Sequence, residues 1–190
     1  MGSGPEKKDV PIRGTSEGQM WTSEFLQPLS CSSHSGEYGG YGGNHFSHSG
    51  NQLDGPITAI RVLTNWNFIV GLQVRHCNQW SDYVGGRAGK LEEITLHLGE
   101  SITQAYGKYG LHCIHKLVFI TSQGRQFVFG RDHGYSFNAA PLCKDAVLHY
   151  VSGRAGRCIH ALSFHWGSYT RRTCRPCVKD EAVRGTTGDH

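Results

Sequence analysis

No stretch of the 190-residue sequence approaches the roughly 20 consecutive apolar residues that a membrane-spanning helix needs, which predicts a soluble chain without a span. Sustained helical periodicity is also missing, and that excludes a helical bundle. No GxSxG is present, and adjacent Cys–His pairs such as His76-Cys77 and His112-Cys113 have no identifiable orienting group, so an enzyme is not expected. The single CxxC, Cys174-Arg175-Pro176-Cys177, has no second CxxC or HxxxH to complete a zinc site, and no metal or cofactor is expected. Residues 1–30 show no charged start followed by an apolar middle, so no signal peptide is visible.

What the chain does contain is glycine, 26 residues of it, with 37% hydrophobic residues, a balance suited to one globular domain with many tight turns. A formal charge of +4 is compatible with acidic polymers as partners, and equally with an ordinary solvated surface. Seven cysteines are an odd number, so at least one has no partner within the chain. The CxxC lies in a polar tail rather than at the start of a helix, so a local Cys174–Cys177 disulfide or free thiols is expected there, not a redox centre. Twelve histidines are scattered singly and read as structural or surface residues.

Pro5, Pro11, Gly14 and Gly18 interrupt the polar first segment, and residues 1–32 read as a disordered leader or an expression-derived segment. The folded domain is placed at 33–168 and a Cys-containing flexible tail at 169–190. Short β-branched or aromatic runs recur at 56–62, 69–74, 94–98, 117–120, 125–129, 146–151 and 159–166, separated by turn residues. The class is therefore all-β, with sandwich, barrel and prism as the options. Gly-Arg-Ala-Gly occurs twice, at 86–89 and 153–156, and three glycine-led segments (50–54, 89–93 and 156–160) stand before strands, which suggests three related sheets about a pseudo-threefold axis.

Glycine lets backbone N–H groups approach a ligand closely, and a carboxylate four residues on accepts from two adjacent hydroxyls. Such a loop matches the edge of a sugar, and Gly39-Gly40-Tyr41-Gly42-Gly43 would supply a second wall without side-chain bulk. Taken singly, the same loops read as ordinary turns.

Longer runs are more specific. Phe46-Ser47-His48-Ser49-Gly50-Asn51-Gln52-Leu53-Asp54-Gly55-Pro56-Ile57, Val70-Gly71-Leu72-Gln73-Val74-Arg75, Trp80-Ser81-Asp82-Tyr83-Val84-Gly85-Gly86-Arg87 and Ser136-Phe137-Asn138-Ala139 resemble the jacalin-related lectins, in particular their secretory-granule branch, over residues 33–177. The resemblance implies a β-prism of three four-stranded Greek-key sheets and calcium-independent sugar binding without catalysis. It implies a mannose-type site formed by Gly42 and Gly43, by Lys108 and Tyr109, and by a GxxxD-type loop of Gly156, Arg157, Cys158 and position 160.

Position 160 departs from the family pattern: His160 stands where the resemblance calls for aspartate. Neutral imidazole offers one acceptor where a carboxylate offers several, a loss of about 1.5–3 kcal/mol. Oxidation of Cys158, inside the loop, would block the site. An intact GxxxD remains at Gly50 to Asp54, and with Gly85 and Gly86 it forms a second candidate sugar loop, although Asp54 reads more readily as a turn stabiliser before Gly55-Pro56. Arg61, Arg75, Arg87 and Lys90 are the candidate anionic-glycan patch.

The expected function is a secreted carbohydrate-binding protein of the granule lumen, recognising mannose-type or sulfated glycans and glycoproteins, with peripheral granule-membrane association and no nucleic-acid role. One alternative is a glycosaminoglycan adaptor that has lost mannose binding through His160. A more remote one is a Cys/His metal or redox module.

Overall fold

The computed structural model describes residues 31–168 and Cys174. Fourteen strands run in chain order: β1 (Ser32–His34), β2 (Tyr38–Gly39), β3 (Asn44–Ser47), β4 (Ile57–Thr64), β5 (Ile69–His76), β6 (Gln79–Trp80), β7 (Val84–Gly85), β8 (Lys90–Thr95), β9 (Ile102–Tyr109), β10 (Ile114–Thr121), β11 (Gln126–Gly130), β12 (Tyr135–Ala139), β13 (Val147–Ala155) and β14 (Ile159–Gly167). One 3-10 helix, Ser49–Asp54, is the only helical element among the described residues.

The strands form three antiparallel sheets, ordered β6-β5-β4-β8, β11-β10-β9-β12 and β1-β14-β13-β3. The middle sheet is four-stranded as expected. The other two each gain a short fifth strand, β7 on β5 and β2 on β14. At the centre of each sheet is one long hairpin, β4–β5, β9–β10 or β13–β14. The threefold repeat is therefore real, but these hairpins carry it. Of the three glycine-led segments only 156–160 contains a hairpin loop; 50–54 lies in the 3-10 helix, and 89–93 runs into β8 at an edge.

A sheet with one apolar face must bury that face, and here three such faces meet in one core. Ile60, Leu72 and Val74 enter it from the first sheet, Ala105, Leu117 and Phe119 from the second, and Val151, Leu162 and Phe164 from the third, all at most 1% exposed. Rings from two sheets touch at the centre: Phe164 lies 6.4 Å from Phe119 and 6.0 Å from Phe137. Each fully buried side chain of this size stabilises the fold by about 1.5–3 kcal/mol.

Glu100 is the buried carboxylate among the described residues. Its carboxylate accepts from the Thr121 hydroxyl at 2.5 Å, the His97 backbone N–H at 2.7 Å and Arg125 at 2.7 Å. Burial alone would raise its pKa, but these donors outweigh it and hold the carboxyl below its ordinary value.

Six of the seven cysteines pair, as Cys31–Cys143, Cys77–Cys174 and Cys113–Cys158. The expected Cys174–Cys177 bridge is corrected, because Cys174 is bonded to Cys77 at the end of β5; Cys177 lies outside the described residues. Cys31 and Ser32, assigned to the leader from sequence, belong to the folded unit through the bridge to Cys143 and through β1 on β14. Local spacing favoured the CxxC, but the fold brings Cys77, 97 positions away, onto Cys174.

Candidate functional site

Three loops meet at one end of the prism: residues 39–43, the β9–β10 loop at 110–113, and the β13–β14 loop leading to His160. Gly40 donates its N–H to the His160 carbonyl at 2.9 Å, and a side chain on Gly40 would strike the Leu111 carbonyl. Only glycine lets these two loops approach so closely. The 39–43 loop is clamped from outside by Arg154, whose guanidinium donates to the Gly42 carbonyl at 3.1 Å and to the Gly43 carbonyl at 2.9 Å.

The His160 ring occupies the space between these loops. A Cβ on Gly42 would lie 2.7 Å from its Nδ1, one on Gly43 2.7 Å from its Cδ2, and one on Gly156 3.2 Å from its Nε2. Nδ1 lies 2.6 Å from the His112 carbonyl, which accepts the Nδ1 proton and leaves Nε2 as the acceptor nitrogen of the neutral ring. Cys158 Sγ, 3.8 Å from Nδ1, is bonded to Cys113, so a disulfide ties the second wall of the site to the third.

Gly42, Gly43, Gly156, Cys158 and His160 are thus brought together as the sequence suggested. Arg157 lies in the same loop, and its carbonyl abuts Gly86. Lys108 and Tyr109 are on β9 rather than in the loop after it. Lys108 Nζ is 3.6 Å from Asp132, and the Tyr109 ring is 5.8 Å from Tyr135. The wall comes instead from residues 110–113. His112, which contributes a carbonyl, and Arg154, which acts across β3, carry no signal in the local sequence; the pairing of Cys113 with Cys158 needed the fold.

The second sugar loop does not assemble. Gly85 pairs with Gly71 near the start of β5, whereas Gly55, next to Asp54, abuts Cys77 beyond its end. Six residues of strand between Gly71 and Cys77 amount to about 20 Å. Gly86 instead accepts the Tyr83 hydroxyl proton on its carbonyl; burial pushes that phenol up in pKa, offset in part by Arg87.

Of the anionic-glycan patch, Arg61, Arg75 and Lys90 are spread along the first sheet, and Arg87 lies between β7 and β8. Arg61 forms an ion pair with Glu93 at 2.7 Å and its guanidinium lies 3.9 Å from the centre of Trp80. Arg75 donates to Thr58 Oγ1 at 3.0 Å and lies on the same indole at 5.5 Å. Lys90 stands opposite Thr64, and Arg75 opposite Ala59, about 17 Å along β4.

Cys113, Cys158 and His160 hold their potential ligand atoms within 4.8 Å of one another. The disulfide uses both sulfurs, which removes the thiolates that a metal or redox module would require.

Comparison with known proteins decides the family. The jacalin-like lectin domain matches residues 35–165. The chain belongs to the jacalin-like lectins. It is 59% identical to human zymogen granule membrane protein 16 and 57% to the rat protein, each over 146 residues, or 77% of this chain and 86% of the relative. Among solved structures, a prostate-specific WGA16 glycoprotein lectin superposes with a TM-score of 0.62 at 34% identity, covering 70% of this chain and 99% of that one. The three-sheet fold is accordingly the jacalin-like β-prism, and this lectin is a carbohydrate-binding protein, not an enzyme.

Proposed function

We propose that the three-loop pocket is the sugar site and that it binds a mannose-type hexose weakly. The observation that carries this reading is the seating of His160: the ring rests on Gly42 and Gly43, its Nδ1–H donates to the His112 carbonyl, and Nε2 is the acceptor left for a hydroxyl. One neutral acceptor replaces a carboxylate, so affinity is lower than an aspartate at position 160 would give. The zymogen granule name of the human and rat relatives supports a place in secretory granules, where weak multivalent contacts with glycoproteins would aid packaging.

The test is calorimetric titration of a mannose-containing glycan into wild type and His160→Asp. Expected is a gain of about ten- to a hundredfold in affinity for the aspartate form. Equal binding by both proteins would show that position 160 does not face the sugar.

A further inference from the structure

A cleft of about 330 Å³ lies against the third sheet, and its lining includes Ser32, His34, Gln52, His149, Tyr150 and His165. His165 alternates with the core residues Phe164 and Trp166, so its ring points away from the core. It is five residues from His160 along β14, about 17 Å, and the cleft therefore stands apart from the sugar pocket. In the sequence these histidines are single and lack metal-ligand spacing; strand pairing is what brings three of them to one place.

His34 and His165 are register partners on β1 and β14, with ring centres 5.8 Å apart at 21°. Two imidazoles on one tetrahedral zinc, with Zn–N bonds of about 2.0–2.1 Å, hold their centres about 5 Å apart. The third ring comes from an irregularity in β13. Leu148 pairs with Trp166 and Tyr150 with His165, so His149 is the extra residue of a bulge. Its ring lies over Gly167, where a Cβ would come within 2.7 Å of Cε1, and Gly167 pairs with Ser32, two residues before His34.

The surroundings hold the rings in place. Tyr150 stacks on His165 at 4.1 Å and 9°, and Ser152 Oγ engages His165 Nε2 at 2.8 Å, which leaves Nδ1 for a ligand. Such a bond to the far nitrogen fixes the tautomer and orientation of a metal-bound histidine. The bulge is anchored from the core by the fully buried His76, whose Nε2 donates to the His149 carbonyl at 2.7 Å. No residue lining the cleft is an aspartate, glutamate, lysine or arginine.

We propose that His34, His149 and His165 bind one divalent transition-metal ion, zinc or copper, with water in the remaining position. Imidazole donors suit these ions, whereas calcium and magnesium take carboxylate oxygens, of which the lining has none. Among the described residues only Cys113, Cys158 and His160 hold their ligand atoms within 4.8 Å of one another as they stand, so the ion draws the exposed His34 side chain inward. Once bound, it ties the three-residue edge strand β1 to both β13 and β14.

The test is calorimetric titration of zinc, copper(II) and magnesium chlorides into metal-free protein at neutral pH. The proteins are wild type, His34→Ala, His149→Ala, His165→Ala, Ser152→Ala and, as control, His115→Ala/His133→Ala, which removes a stacked pair elsewhere in the fold. Expected in wild type are one zinc per chain, tighter binding of copper and none of magnesium. Zinc affinity should fall by about tenfold or more in each of the three single histidine variants and by less in Ser152→Ala. Zinc should also raise Tm in wild type but not in His34→Ala, whose substitution at an exposed position leaves the fold intact. The proposal is overturned if wild type takes up no zinc, if any of the three histidine variants keeps wild-type affinity, or if only the His115/His133 variant loses binding.

Discussion

Gly42 offers a sharp test of where the His160 ring lies. Its backbone is not in the left-handed region, so alanine at 42 meets no strain from φ; what it meets is the imidazole, 2.7 Å from Nδ1 and 2.8 Å from Cε1. The ring has little room to retreat, with the His112 carbonyl 2.6 Å from Nδ1 and the disulfide-bonded Cys158 sulfur at 3.8 Å. Overpacking of this kind costs about 1–3 kcal/mol. In a His160→Ala background the same Gly42→Ala change meets no other atom closer than 3.3 Å and should be neutral, or stabilising by about 0.4–1 kcal/mol through the unfolded chain. The coupling between the two positions is then about 2 kcal/mol, and Gly42→Ala should lower Tm by about 4–8 °C in the wild-type background only. Thermal melts of the four proteins of the cycle measure it. Gly43→Ala is the control: its φ is +69° and its Cβ would lie 2.5 Å from the Ala155 carbonyl oxygen, so it should cost stability in either background. An equal loss from Gly42→Ala with and without the imidazole would refute the placement of the ring.

Two further outcomes follow from buried groups. Replacing Cys113 and Cys158 together by alanine opens a bridge spanning 45 positions, which should lower the denaturant-unfolding free energy by about 4 kcal/mol. Glycan binding should weaken more than in Cys31→Ala/Cys143→Ala, since only the first bridge joins two loops of the site; equal effects on binding would count against that tether. His48 is 3% exposed, and burial lowers its pKa from 6.5 to about 4, an effect to which nearby His76 adds and which a backbone group of Asp82 partly offsets. The folded state therefore resists a proton that the unfolded chain accepts below pH 6.5. Stability should fall as pH drops from 6.5 towards 4, by about 3 kcal/mol at the lower end. His48→Gln should flatten that slope in urea titrations, and an unchanged slope would assign the acid sensitivity to other groups, such as His76.

The long strands were legible because β-branched and aromatic residues cluster in β4, β5, β10, β11, β13 and β14. Strand β9 was not, since Gln104, Gly107 and Lys108 interrupt its apolar alternation. Gly107 is nonetheless required there, because a side chain would strike the Lys116 carbonyl on the paired strand. Register with a partner, not propensity, decides such a position. The site divides along the same line. Spacing within one loop located Gly156 and His160, and the doubled glycines located Gly42 and Gly43. The clamp by Arg154, the carbonyl of His112 and the Cys113 bridge act between segments 45 or more positions apart, where no local pattern points. Local spacing misled for Asp54, whose loop closes a 3-10 helix at the far end of β5 from Gly85.

The three disulfides also cover one another's spans, Cys31–Cys143 crossing the other two and Cys113–Cys158 nested within Cys77–Cys174. In chain order the six cysteines are 31, 77, 113, 143, 158 and 174, and each bridge overlaps the other two. Every peptide bond between Cys31 and Cys174 is therefore spanned by at least one of them. A protease that nicks any single loop leaves both pieces on one covalent molecule, and the cut stays hidden on a non-reducing gel until a thiol is added. Between Cys31 and Cys174, covalent integrity in this lectin thus outlasts the first cleavage, and loss of a fragment from that span requires a second event.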